Sequence, residues 1–383
     1  MIPARFQPSP EATRVFGDRL DRLAPYLLRS DPLADEASAA LPAWERGFAR
    51  IAEALRDGGG APPSAPEPVR ALIEHAQRVP VWVDWDAIER GGLAFLRSGI
   101  LGGLVLGAGS LVLSFTSPGG NKPLVFSGRL QEQAPRRLAE TSYYVRAVTR
   151  PGGLRPGGEG LVGTIHVRLL HAQLRRLMRE SGRFRVDLWG EPINQHDMMG
   201  TLILFSVVVV ESLTRLGYRM SPAEAEDLVH LWRYAGYLIG VDADLLPGSF
   251  AEARRFGEMI SATQGPPDDD SRALTRALLE SPRTAAKTPE ERRFAERRER
   301  IGAALVRHVV GDEVADTLGV PRTWARHLVP ALSALVAATE RARDLPVVKG
   351  WSLEAGYRYW DAAVARGLQD LSAVFVPPDR LAA

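Results

Sequence analysis

The chain has 383 residues, 45% apolar and 25% charged, with 48 Lys and Arg against 46 Asp and Glu for a net charge of +2. That length allows one large or two ordinary domains, and the intermixed charges offer no concentrated basic face of the kind a nucleic-acid partner requires. With no cysteine, disulfide frameworks, iron–sulfur clusters, thiolate-held metals and cysteine nucleophiles are excluded, so any bound metal must be held by histidine or oxygen.

The first residues lack the basic start, apolar run and small-residue cleavage site of a signal peptide, so a cytoplasmic protein is expected. Pro3, Pro8 and Pro10 begin an extended arm, followed by helices predicted over 11–29 and 42–56. Gly58, Gly59, Gly60, Pro62, Pro63 and Pro66 form the clearest linker. Helices from Glu67 to before Pro80 and over 84–97 complete a first quarter that reads as a helical cap without chemistry.

Residues 100–115, ILGGLVLGAGSLVLSF, are the most apolar run. Their length approaches a membrane span, but the glycines and the lack of a one-sided Lys or Arg excess favour a buried helix, and membrane association is not expected. SPGGNK at 117–122 predicts a turn. Residues 127–150 predict a helix with Arg137, Thr141 and Tyr144 on one face, and 151–160 a glycine-rich loop.

The next stretch, GLVGTIHVRLLHAQLRRLM at 160–178, carries the strongest chemical signal. As a helix it places Val167, Leu170, Leu174 and Leu177 on an apolar stripe flanked by His171. Thr164, Arg168, His171 and Arg175 share a row, so the imidazole is bracketed by a guanidinium one turn before and one turn after. His166 lies about 140° round the helix and cannot easily join His171 on one ion. A core histidine bonded to a carbonyl or carboxylate would read the same way. An imidazole at an apolar cleft with two cations beside it also has the parts to hold haem, a nitrogen for iron and partners for propionates.

Beyond an irregular 181–192, Asn194 caps an apolar helix running to Gly217, with His196 in its first turn expected at the surface or as a capping residue. Ser221, Pro222 and Glu224, and again Thr288, Pro289 and Glu291, form capping boxes. The first opens a helix dense in aromatics from Trp232 to Tyr237. Helices over 245–264, 271–279, 321–343 and 352–374 are also predicted. The fold class is therefore all-α, as one large helical domain over 81–383 with an N-terminal helical arm and cap over 1–80.

RLAET at 137–141, GGEGLVGTIHVRLLHAQLRRLM at 157–178, WGEPINQHDM at 189–198 and LVHLWRYAGYLIGVDADLLP at 228–247, in this order, resemble the haem-dependent oxygenase family of the latex clearing (rubber oxygenase) proteins and the mycophenolic acid biosynthesis oxygenase. The resemblance implies a globin-like core around a haem b pocket, with His171 as the iron's one protein ligand and Arg175 near a propionate; Arg168, one turn before His171, is expected from its spacing as a second cofactor-binding residue. It also implies that Arg137 and Thr141 take catalytic positions across the pocket. Rubber-cleaving members have a lysine immediately before that threonine, where this chain has Glu140. The expected activity is oxidation of an apolar, isoprenoid or lipid-like substrate with dioxygen; the alternative is a non-catalytic carrier of haem or a lipophilic ligand.

Overall fold

The computed structural model describes residues 2–126, 129–284, 286–343 and 345–368, with the side chains of 129–135, 137 and 366–368 left undescribed. The described residues form helices joined by turns and loops, with no strand among them; an isolated bridge pairs Phe6 with Gln264. Seven helices carry the account: α1 Pro32–Ala40, α2 Gly47–Asp57, α3 Arg129–Thr149, α4 Glu159–Glu180, α5 Pro222–Ile239, α6 Val329–Glu340 and α7 Pro346–Leu368.

Both capping boxes form as their sequences require. Ser221 and Glu224 close the start of α5, and Thr288 and Glu291 close the start of Pro289–Val310. Each box satisfies two backbone N–H groups that a helix start otherwise leaves bare. The helix of Trp85–Arg97 lies against α5 at very close range. A Cβ on Gly91 would fall 2.4 Å from the Asp227 carbonyl oxygen, and one on Gly92 would fall 2.1 Å from that of Thr149. Only glycine permits that approach.

Four expectations about elements are corrected. The helix predicted over 11–29 breaks at Gly17, whose φ of 54° ends Pro10–Phe16. A helix was not expected at α1, where Asp31 caps the start by accepting from Ala34 N at 3.3 Å. The turn predicted at 117–122 is instead the start of a helix, Pro118–Phe126. Buried Asn121 donates there to Phe115 O and Ser271 Oγ, and Lys122 donates to Asp268 at 2.8 Å and to Asp270. These long-range partners override a local turn composition. Finally, the helix opened by Asn194 is interrupted at Ser206, which separates Gln195–Phe205 from Val207–Arg215.

The run at 100–115 is helical, with a π-helical stretch over Leu106–Leu111. Val105, Val112 and Phe115 are fully buried. Among the described residues, Gln195–Arg215 is long and apolar enough to cross a membrane, and 56% of its most apolar window lies inside the fold.

Candidate functional site

The site is built by the contact between α3 and α4, which run antiparallel across the 150–158 connection. A Cβ on Gly160 would meet Ala147 O at 2.6 Å, and Gly163 faces the Tyr144 ring at 3.9 Å. The hydroxyls of Tyr144 and Thr164 lie 3.4 Å apart. With about 1.5 Å of rise per residue in both helices, this register brings Thr141 level with Val167 and Arg137 level with His171.

Gly163, Val167, His171 and Leu174 recur at four, eight and eleven residues and make one strip of α4 turned toward α3. All four stay partly exposed in mid-helix, whereas their neighbours Thr164, Arg168, Leu170 and Ala172 are buried. Thr141 is exposed although it too lies in mid-helix. The two helices therefore touch at Tyr144 and Gly163, beyond which Val167, His171 and Leu174 form a partly exposed, mostly apolar strip. Its far end rests on a small cluster of Phe126, Met178 and Phe184, against which Leu174 packs. Burial lifts the Tyr144 phenol to about 12 despite the Thr164 hydroxyl, so it stays protonated at the closed end.

The arginines flanking His171 have partners the sequence reading did not foresee. Arg168, expected beside a cofactor carboxylate, instead forms a buried fork with Asp31, Nε to Oδ2 at 2.7 Å and Nη2 to Oδ1 at 2.9 Å, while Nη1 donates to Leu238 O at 3.0 Å. With every nitrogen engaged, it is an anchor tying α4 to α1 and α5. Arg175 is fully buried. Its Nε donates to Asp35 at 2.7 Å and its Nη1 to Ile193 O at 3.4 Å, while its Nη2 is buried without an acceptor among the described residues. An unmet donor of this kind costs about 1–3 kcal/mol. Asp35 also takes Arg179 at 3.3 Å, so α1 supplies carboxylates along one whole side of α4. Asp31 and Asp35 are the residues that sequence reasoning missed; Asp31 before Pro32 carried a helix-start signal, but nothing local announced its distant partner.

On α3, Glu140 is buried and accepts from Arg136 Nε at 3.0 Å. The side chain of Arg137 lies outside the described residues. The other histidines are elsewhere. His166 stacks on Phe48 of α2 with ring centroids 5.0 Å apart. His196 is buried, contrary to the surface position expected, with Nδ1 3.3 Å from Asp197 and Nε2 3.4 Å from Thr263 Oγ1. Burial lowers its pKa, against the opposing pull of Asp197.

The aromatic cluster of α5 divides. Trp232 stacks on Phe205 at 4.6 Å and approaches Tyr144 at 6.4 Å, so it backs the closed end of the α3–α4 contact. Tyr234 and Tyr237 instead pack on Trp82, and Tyr237 also on His75. A cleft of about 540 Å³ lined by Trp44, Phe48 and Gln173 opens on the side of α4 away from His171. Among the described residues, no three His, Cys, Asp or Glu side chains gather as a metal-binding group, so protein ligands alone would not build a complete metal site here.

An all-helical bundle with one imidazole on an apolar strip falls in a known structural class. The fold is that of a solved latex clearing protein in its closed state, with a TM-score of 0.67 and 24% identity, over 88% of this chain and 91% of that one. A rubber oxygenase of Streptomyces sp. (strain K30) is 27% identical over 309 residues, 79% of this chain and 74% of its own length. Residues 85–341 match the family described as ER-bound oxygenase mpaB/B'/rubber oxygenase, catalytic domain, and the chain belongs to that family. It is accordingly an oxidoreductase of the oxygenase kind, with a small-molecule substrate and oxygen.

Proposed function

We propose that the protein is a haem b-dependent oxygenase that oxidises an apolar, isoprenoid or lipid-like substrate with dioxygen, and that His171 is the protein ligand to the iron. The observation that carries this reading is the partly exposed strip Gly163, Val167, His171 and Leu174, a flat apolar surface with one imidazole. A tetrapyrrole suits it: Val167 and Leu174 offer apolar surface on either side of the imidazole, and a propionate would satisfy Arg175 Nη2, a buried donor without an acceptor among the described residues, one turn from His171. When bound, haem supplies the redox-active iron that lets dioxygen react with an unactivated hydrocarbon.

The chain's own residues do the rest. Arg168, held by Asp31 and Leu238 O, fixes the rotation of α4 and with it the direction of the imidazole. Val167 and Leu174 exclude water from the strip and favour an apolar substrate. Thr141, level with Val167 on the facing helix, carries a hydroxyl that can donate or accept a hydrogen bond. Arg137, level with His171, is assigned to the same side.

The test is dioxygen consumption by haem-loaded protein with and without an acyclic isoprenoid such as squalene. Consumption that depends on the hydrocarbon and disappears in His171→Ala supports the proposal. Haem binding without consumption for any apolar substrate would leave a carrier, and no haem binding at all would reject both.

A further inference from the structure

Among the described residues, sixteen large apolar side chains are exposed, and seven of them fall within residues 324–351. The centre of this patch is α6, VPALSALVAATE, which has no charge between Val329 and Thr339. Helices apolar on all sides are normally enclosed. This one touches the fold along a single edge: Gly217 lies against Ser333 O and Ala337 N, and Glu340 accepts from Arg219 N at 3.2 Å. The opposite edge carries Leu328, Leu332 and Leu335, spaced four and three residues apart, with Leu328 52% and Leu335 62% exposed. Across the short connection, α7 begins with Val347 and Trp351 one turn apart and 83% and 73% exposed.

Cations predominate among the described charges around the patch, and exposed Glu354, one turn beyond Trp351, is paired with Arg358 at 2.9 Å. Arg326, Arg341 and Lys349 are exposed, and the segment's described acidic residue, Glu340, is turned inward onto Arg219. Trp324 and Trp351 stand at its two ends in sequence, both exposed. Leucines and a valine flanked by tryptophans and cations match the interfacial zone of a bilayer, where acyl chains take the apolar groups, the headgroup layer takes the indoles, and anionic phosphates take the cations. A second copy of the chain fits less well, because a two-fold interface sets the same patch against itself and brings like cations together.

We propose that the face formed by α6 and the start of α7 docks the protein peripherally on an anionic lipid bilayer. This departs from the expectation, drawn from the sequence, that the protein does not associate with a membrane. The docking stands independently of the haem reading.

The test is flotation of the full chain with unilamellar vesicles of phosphatidylcholine alone or with about 30% phosphatidylglycerol. The protein should float with the anionic vesicles, and added salt should weaken the association as surface charge is screened. A Leu335→Glu/Trp351→Glu variant, altered only at exposed positions and checked for wild-type circular dichroism, should partition at least about tenfold less. Failure of the wild-type chain to float, equal flotation on neutral vesicles, or an undiminished variant would overturn the proposal. So would a dimer in sedimentation velocity that the same variant splits, since the patch would then be covered by a second copy.

Discussion

Replacing Asp31 with alanine removes both carboxylate oxygens that hold Arg168 and leaves a guanidinium sealed in the junction of α1, α4 and α5. Asp31 and Arg168 are both under 5% exposed, and two charge-assisted bonds of 2.7 and 2.9 Å join them. Breaking a buried pair from one side typically costs about 3–5 kcal/mol, because the remaining charge keeps its desolvation penalty without its partner. Loss of the Ala34 N cap adds about 0.5–2 kcal/mol. Urea unfolding followed by far-ultraviolet circular dichroism should show the loss as a lower midpoint at unchanged slope. Removing both charges, as in Asp31→Ala/Arg168→Leu, should recover part of the stability, since an apolar replacement leaves no buried ion. An Asp31→Ala cost below about 1 kcal/mol, or a double variant no more stable than the single, would refute the anchoring role of this pair.

Further predictions concern the strip and its surroundings. Gly163→Ala should be tolerated, with a gain of up to about 1 kcal/mol in thermal unfolding from better helix propensity, because its Cβ would meet only Tyr144 at 3.9 Å. Val167→Trp, at a partly exposed position of the strip, should keep the fold by circular dichroism while abolishing haem uptake; normal uptake would show that haem binds elsewhere. Arg175→Lys keeps a cation near Asp35 but removes Nη2, and haem titration should show about a tenfold weaker affinity, the loss of one charge-assisted bond. Burial would raise the Asp197 carboxyl, but Arg5 outweighs it and holds the group well below the usual carboxylate range. A depressed folded value stabilises the fold above the unfolded pKa of about 4, and this contribution is lost as pH falls below it. Stability measured by urea from pH 6 to pH 3 should therefore decline less steeply in Arg5→Ala than in the wild type.

Much of this architecture can be read from local sequence because its determinants are local. The two Ser/Thr-x-x-Glu starts capped their helices, and the spacing of residues 160–178 placed Val167 and Leu174 on one side of a helix with His171 at its flank. What escaped was set by residues far away in sequence. Arg168 and Arg175 looked available because Asp31 and Asp35 lie about 140 positions earlier. Lys122 and Asn121 turned an apparent loop into a helix through Asp268, Asp270 and Ser271. His196 looked exposed because an N-terminal first turn usually is, whereas Thr263 and the Arg5–Asp197 pair enclose it. The aromatic density of α5 was visible, but not that Trp232 and Tyr237 face different neighbours. Periodicity reports which side of a helix is apolar, and not which element comes to cover it.

Haemin titrated into the purified chain and into His171→Gly, with the visible absorption spectrum recorded at each step, decides whether His171 holds the iron. The wild type should develop a saturable Soret band with one-to-one stoichiometry, and the variant should fail to do so until free imidazole is added to occupy the vacated position. A wild type that gives no such band, or a variant whose spectrum matches it without imidazole, would contradict the assignment of His171 to the iron.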